Sequence, residues 1–160
     1  MNIHVSSPIP YSCAERLDNV RLNKMITETA QMLSMWCHYH EHYSSVEYDL
    51  GATHLRHPCF LWLLSDQRHY DWTVRYFTAL CQEWEARRGK VHKGATLIGD
   101  FVPHAMLGNA EPDWFQNAAR SKVLDIDYTH IEDVHQAYLL YLNDRWDMDE
   151  ANGREPKWGW

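Results

Sequence analysis

Four polar side chains recur along residues 19–35 at a spacing that places them on one face of an α-helix. They follow one another at intervals of three or four residues and are Arg21, Lys24, Glu28 and Gln31. A carboxylate beside two cations and an amide could polarise a bound group or hold an anion. The same repeat is also typical of a solvated helix face with an ordinary Lys24–Glu28 ion pair, worth about 0.2–0.5 kcal/mol. Spacing alone favours the solvated face.

Basic residues gather at two other places, and both could contact a phosphate. Arg56 and His57 precede Pro58 at a predicted helix start, where free backbone N–H groups attract anions. A second cluster, in a chain that is acidic overall, consists of Arg87, Arg88, Lys90, His92 and Lys93. The alternative in both places is a solvated helix end, which at a C-terminus suits the helix dipole.

Histidine and tryptophan residues suggest two further kinds of site. His38 and His42 share a helix face, but no third ligand has a matching spacing, so we predict no metal site and no cofactor. Trp158 and Trp160 belong to the tail Lys157-Trp158-Gly159-Trp160, where they could stack on bases or close over a site. Packing in the core is the expectation for most other aromatic residues.

Three main helices are predicted to position these residues. The first covers residues 19–35 and extends toward His42, after a short helical turn that Ser12 could cap. The second begins at Pro58 and ends at Gly89, and we expect a break near residues 65–69, where the apolar pattern thins. The third runs from about Thr129 to Trp146, with Thr129 and Glu132 as a possible capping box.

The remaining segments are a short N-terminal arm and long loops. Ile3 and Val5 alternate with polar residues in the arm and should pack against the helices. Residues 43–56 and 89–112 lack a sustained period, and 113–123 could hold a short helical or irregular segment. We therefore predict an all-α fold, compact and formed as a single domain over residues 1–160.

Composition bounds the functions that this fold could carry. A net charge of −7 over 160 residues argues against a broad basic surface but allows a local basic cleft. The four cysteines form no CxxC pair, and no apolar run or leader pattern stands out, so we predict buried reduced thiols and a cytoplasmic protein. Met1 should be retained, because Asn2 is bulky for routine methionine removal. The oligomeric state is not indicated.

The order of these features resembles the phage-type pyrimidine-dimer DNA glycosylases of the endonuclease V type and their small phage-encoded relatives. That family has a short arm, a helix with an essential glutamate, a His-Pro or Ser-Pro helix start and a long helix ending in Arg-Gly. A Gly-Asp-aromatic-aliphatic-Pro-His loop and an aromatic-basic tail follow. The matching pieces here are Asn19 to Glu28, His57-Pro58, Arg88-Gly89, Gly99-Asp100-Phe101-Val102-Pro103-His104 and Lys157-Trp158-Gly159-Trp160.

The resemblance implies roles for individual residues. Glu28 would lie beside the sugar of the target nucleotide and stabilise the imino intermediate. The family's nucleophile is the α-amine of a small residue exposed by methionine removal, so here either the Met1 amine acts from one residue farther out or the lyase step is lost. Thr27 and Gln31 replace two arginines of the family's phosphate clamp. The expected DNA contacts are therefore Arg21, Lys24, Gln31, Arg56, His57, Arg87, Arg88, Lys90, His92, Lys93, His104 and Lys157.

Three functions follow, each with duplex DNA or a nucleotide as partner. The first is a glycosylase-like enzyme acting on a damaged or modified base through Glu28. The second is a phage DNA-modification transferase, in which Glu28 acts as general base for a small amine or amino acid that joins an activated hydroxymethyl-pyrimidine. The third is a non-catalytic module that binds DNA or a nucleotide. No membrane association is expected.

Overall fold

The computed structural model describes residues 2–40, 55–101, 113–114 and 117–159, and this part of the chain is mostly helical. We number its α-helices α1 (Pro10–Arg16), α2 (Asn19–Tyr39), α3 (Pro58–Ser65), α4 (Gln67–Arg88) and α5 (Val134–Ala151). A 3-10 helix at Lys93–Leu97 follows α4. The antiparallel strands β1 (Arg120–Ser121) and β2 (Ile126–Asp127) pair Arg120 with Asp127. The all-α prediction is confirmed.

Helix α2 carries the polar stripe found in the sequence. Asp18 caps its N-terminus by accepting hydrogen bonds from the backbone N–H groups of Val20 and Arg21. The apolar face beside the stripe is buried at the positions expected from the helical repeat, including Leu22, Met25, Ile26, Thr29, Met32 and Leu33. The helix continues past Met35, as predicted, and ends at Tyr39; His42 itself lies outside the described residues.

The second predicted helix is divided where the break was expected. Helices α3 and α4 meet at Asp66, whose extended backbone ends one helix and whose side chain accepts from Arg68 N to cap the next. Pro58 is the first residue of α3, and Gly89 ends α4 in the left-handed conformation, with φ of 61°. All three boundary predictions are confirmed.

Two predicted helix caps are wrong. Helix α1 begins at Pro10, so Ser12 lies inside it, because the fixed φ of proline favours the first helical position. Helix α5 begins after Asp133, whose carboxylate accepts from His135 N and Gln136 N. The Thr129 hydroxyl instead donates to Asp127 Oδ1 at 2.6 Å, and the helix continues past the predicted end.

The core lies between the N-terminal arm and the helices. Ile3 and Val5 are completely buried, as the alternation in the arm predicted, and Tyr76 and Phe77 of α4 are buried beside them in the same core. All four cysteines are free and buried, which confirms the predicted reduced thiols. Among the described residues, no helix is long and apolar enough to cross a membrane.

Candidate functional site

The Glu28 carboxylate contacts the chain at Asn2, close to its beginning. Its side chain is 14% exposed, and Oε1 lies 3.5 Å from Lys24 Nζ, so the predicted ion pair is present. The other oxygen, Oε2, accepts a hydrogen bond of 3.1 Å from the backbone nitrogen of Asn2. The Glu28 carboxylate of α2 is therefore hydrogen-bonded to the backbone nitrogen that links residue 2 to residue 1.

Asn2 is fixed in this position by three donors to its side-chain oxygen. Oδ1 accepts from Ile3 N at 2.9 Å, from the Tyr138 hydroxyl at 2.6 Å and from Cys59 Sγ at 3.3 Å. Tyr138 belongs to α5 and Cys59 to α3. The arm is thus connected to α2, α3 and α5 within its first residues, which orients it relative to Glu28.

Burial keeps the two side-chain donors protonated. It raises the pKa of the Cys59 thiol to about 12, and it raises the pKa of Tyr138 well above its usual value. Both groups therefore donate hydrogen bonds at neutral pH. Cys59 is a poor candidate for a nucleophile because the reactive form of a thiol is the thiolate. The spacing of Asn2, Cys59 and Tyr138 in the sequence gives no sign that the three residues are in contact.

Arg21, a predicted phosphate contact, is buried between two carboxylates. Its Nη1 lies 2.7 Å from Asp18 Oδ2 and its Nη2 lies 2.5 Å from Asp149 Oδ2. Burial alone would raise the Asp149 pKa, but the hydrogen bond and charge of Arg21 outweigh it, so the pKa is lowered. The guanidinium thus joins the start of α2 to α5, and Lys24 is the exposed cation of the stripe, with 61% of its side chain accessible.

The basic cluster at residues 87–93 is divided by the fold. Arg87 turns inward, where it pairs with Glu83 and donates to the carbonyl oxygens of Leu17 and Glu15. Its guanidinium ties α4 to the junction of α1 and α2. The structure therefore gives Arg87 a packing role in place of the predicted exposure.

The other members of the cluster surround the 3-10 helix. Arg88 lies over the Trp84 ring, 4.7 Å from its centroid, while Lys90 and Lys93 are exposed. His92 Nδ1 accepts from Gly94 N at 2.9 Å, and Nε2 lies 3.1 Å from Asn23 Oδ1. Burial lowers the pKa of His92, so at neutral pH the ring is uncharged and caps the 3-10 helix.

A cleft of about 250 Å³ lies between α2 and the 3-10 helix. It is lined by Ile26, Thr27, Ala30, His92, Lys93, Gly94, Thr96 and Leu97. A Cβ at Gly94 would lie 3.0 Å from Ile26 Cγ2, so this backbone approaches α2 more closely than a side chain would comfortably allow. The cleft is mostly apolar, with Lys93 at its edge, and Glu28 follows Thr27 in α2. Its volume is just below the usual range for small-molecule pockets.

Other predicted contacts are distributed over the surface. Arg56 is exposed, and His57 Nδ1 accepts from Cys59 N at 3.3 Å, which caps α3. Gln31 is half-buried on the stripe. Met1, His104 and Trp160 lie outside the described residues. Where the chain is described, no three His, Cys, Asp or Glu side chains form a group that could hold a metal ion.

The tail is tied to the beginning of α2. The carbonyl oxygens of Lys157 and Gly159 accept from the backbone and side chain of Asn19, at 2.7 and 2.9 Å. Trp158 Nε1 donates to Arg16 O at 3.0 Å, and its ring packs edge-on against Trp146. Trp158 remains 45% exposed. The tail therefore packs against the helix that carries Glu28, and Trp158 stays partly accessible.

Comparison with known families decides the broader assignment. The sequence model of the pyrimidine dimer DNA glycosylase family matches residues 1–97. The chain belongs to this family. No curated protein and no solved structure matches it.

Family membership supports a DNA-acting, pyrimidine dimer glycosylase-like function with DNA as the partner. The matched residues contain α1 to α4, the 3-10 helix, the Glu28–Asn2 contact and the whole lining of the cleft. Helix α5, residues 99–104 and the tail lie beyond the match. The region shared with pyrimidine dimer DNA glycosylases is therefore the one that holds Glu28 and the arm.

Proposed function

We propose that this protein is a DNA glycosylase acting on a damaged or modified base, with Glu28 at the reaction centre. The observation that carries the proposal is the 3.1 Å hydrogen bond between Glu28 Oε2 and Asn2 N. It brings together, on one side of α2, a largely buried carboxylate and the first residues of the chain. Both lie inside the region matched by the family.

The proposed chemistry uses the carboxylate to stabilise positive charge. As the glycosidic bond breaks, its electron pair leaves with the base and the sugar becomes cationic. If the Met1 amine attacks C1′, a C–N bond forms as the bond to the base breaks; a proton then passes from this nitrogen to O4′, the C1′–O4′ bond breaks, and the sugar opens to a cationic imine. A fixed anion next to developing positive charge lowers the barrier of such a step. Glu28 supplies that anion, and its Oε2 is hydrogen-bonded to Asn2 N, the nitrogen through which residue 1 is attached.

We assign the cleft beside α2 to an unstacked base. Extrusion of a base costs a few kcal/mol, and a pocket that takes up the base offsets part of this cost. The apolar lining from Ile26 and Leu97 suits the faces of a base, while the exposed Lys93 suits a flanking phosphate. Lys24, Arg88 and Lys90 are the further phosphate contacts that we propose, because each carries an exposed positive charge.

Substitution of the carboxylate tests the proposal. Glu28→Gln should lower the rate of base release from duplex DNA containing a thymine dimer or a modified thymine by about 10²–10³-fold, the usual loss when one electrostatic contact is removed. Glu85→Gln, on the exposed surface of α4, is the matched control and should react like the wild type. Wild-type rates in the Glu28→Gln protein, or no abasic product from any of these substrates with the wild type, would refute the proposal.

Borohydride trapping tests the role of the Met1 amine separately. A covalent protein–DNA adduct that disappears after selective acetylation of the α-amine would support the Met1 nucleophile. Base release without an adduct would instead indicate a glycosylase that uses water and lacks the lyase step. The two outcomes differ in the role of Met1 and leave the role of Glu28 unchanged.

A transferase is the second candidate. Thr27 lines the cleft at a position where the pyrimidine-dimer glycosylases that this chain resembles have an arginine. The cleft therefore carries less positive charge than theirs and could admit a neutral or cationic co-substrate. In this function Glu28 would take a proton from an incoming amine. Mass spectrometry of nucleosides after incubation with pyrophosphorylated hydroxymethyluracil DNA and amino acids tests it. Unchanged nucleosides would exclude this candidate for those substrates.

A further inference from the structure

A second cavity, of about 200 Å³, opens beside Arg21 and Lys24 of α2, about one turn before Glu28. Its walls come from the arm, α2, α5 and residues 154–156. Four cationic side chains line it, together with His4 and Tyr141: they are Arg21, Lys24, Arg145 and Arg154. This cavity, which we call the α2–α5 cavity, lies apart from the cleft assigned to the base and shares no lining residue with it.

The acidic residues in its wall are largely neutralised. Asp18 is completely buried and accepts from Val20 N, Arg21 N, Arg21 Nη1 and Trp146 Nε1. Asp149 pairs with Arg21 on one oxygen and with Arg154 Nη2, at 3.1 Å, on the other. Glu155 is exposed at the rim. The negative charges of the two aspartates are thus already compensated by donors.

Two of the cations keep unused donor capacity. Arg145 Nη1 donates to the Tyr141 hydroxyl at 3.2 Å, while Arg145 Nε is buried and has no partner within the described part of the chain. Lys24 is largely exposed and contacts Glu28 at 3.5 Å, longer than a strong ion pair. A buried donor without an acceptor costs about 1–3 kcal/mol, so an acceptor in this cavity that Arg145 Nε reached after a small side-chain movement would be stabilising.

His4 supplies the second indication of a ligand. It is 5% exposed, its ring packs against Tyr138 and Tyr141 at 5.9 and 5.7 Å, and its Nδ1 has no hydrogen-bond partner among the described residues. Burial, followed by the charges of Lys24, Arg21 and Arg145, lowers the pKa of His4 to about 3. The ring is therefore neutral, and three cations of the cavity wall lie close enough to lower its pKa further.

We propose that the α2–α5 cavity binds one oxyanion group, a carboxylate or a phosphate, through Lys24, Arg145 and Arg154, with His4 in its wall. A volume of about 200 Å³ accommodates a small anion of amino-acid size. A nucleic-acid phosphate could enter from the exposed side, where Lys24 and Arg154 lie. Binding needs neither base release nor Glu28, so the proposal does not depend on the glycosylase assignment.

The experiment follows the His4 and Arg145 side-chain nitrogen resonances by NMR in the ¹⁵N-labelled full chain. Inorganic phosphate, glycine and a short undamaged duplex are titrated separately. We expect saturable shifts at both residues with at least one of the three. A response to phosphate or glycine identifies a small-molecule ligand, whereas a response to the duplex alone identifies a DNA phosphate.

Matched variants decide whether the site is specific. Arg145→Gln should weaken binding by at least tenfold, and Arg154→Gln should weaken it less because Arg154 lies at the rim with 70% of its side chain exposed. Arg120→Gln removes the same charge from an exposed position on β1 and should leave affinity unchanged. Equal affinities of Arg145→Gln, Arg154→Gln and Arg120→Gln, or no saturable shift with any probe, would overturn the proposal.

Two further measurements separate this proposal from others. Circular dichroism establishes that each variant is folded, and Arg154→Gln keeps the test valid if Arg145→Gln is not. Glu28→Gln should still bind the anion while losing base release. Loss of anion binding in Arg145→Gln with base release intact would show that the cavity and the reaction centre act independently.

Discussion

Replacement of Arg21 should destabilise the protein far more than it weakens DNA binding. The side chain is buried between Asp18 and Asp149, at 2.7 and 2.5 Å. Removing one partner of a buried ion pair costs about 3–5 kcal/mol because a buried charge is left uncompensated. Asp18 keeps three other donors and Asp149 keeps Arg154, so we expect Arg21→Met to cost about 3 kcal/mol, the lower end of that range.

Urea unfolding followed by circular dichroism measures this loss. With an unfolding slope of about 2 kcal/mol per molar urea, the midpoint should fall by about 1.5 M. Lys24→Met is the matched control on the same stripe, and its exposed side chain should leave stability within about 0.5 kcal/mol. Asp18→Asn combined with Arg21→Met should cost less than the sum of the two single changes, because the partners interact directly.

Acid titration gives an independent check on the same ion pair. The folded-state pKa of Asp149 lies below its ordinary value of 3.8, so its contribution to stability is fully present above that value and is lost as the pH falls through the lower folded-state pKa. In Arg21→Met, the free energy of unfolding should depend less on pH in this acidic range. An Arg21→Met protein of wild-type stability with weaker, less salt-dependent DNA binding would refute the reasoning and restore Arg21 as a phosphate contact.

Three further predictions concern the contacts around the site. Tyr138→Phe should cost about 1 kcal/mol in urea unfolding, since it removes one of three donors to Asn2; an unchanged midpoint would contradict this. Asp66→Ala should cost about 1 kcal/mol by uncapping α4, and because the Asp66 pKa is lowered to about 2, the difference should persist at neutral pH and vanish as the pH falls from 3.8 toward 2. Cys59, with its raised pKa, should resist iodoacetamide at pH 8 until urea is added; rapid labelling of the native protein would show that it is accessible.

The helices were predictable because their signals are local. The break at Asp66, the proline start of α3 and the glycine end of α4 all follow from one or two residues. The cap of α5 was wrongly predicted because two polar candidates compete: Asp133 is a few residues from Thr129, and only the folded chain shows which one the helix uses. The fold class and the helix ends marked by one strong signal could therefore be predicted from the sequence. The helix ends with competing signals could not.

The candidate site was predictable only in part because its contacts are distant in the sequence. The helical repeat placed Lys24 and Glu28 together, as the ion pair shows. It could not show that Arg21 turns toward Asp149, 128 residues away, or that Asn2 meets Tyr138, 136 residues away. A charged residue on an amphipathic stripe looks the same in sequence whether it faces solvent or a second helix.

The bonds between Asn19 and the tail have a consequence for synthesis. Asn19 N is satisfied by Lys157 O, and its side chain by Gly159 O, 140 residues farther along the chain. At about 5–20 residues per second, a ribosome makes those partners roughly 7–28 s after Asn19. During that interval the nascent helix that carries Glu28 lacks the hydrogen bonds between Asn19 and the tail. The beginning of α2 therefore obtains its full set of hydrogen bonds only when translation of the tail is complete.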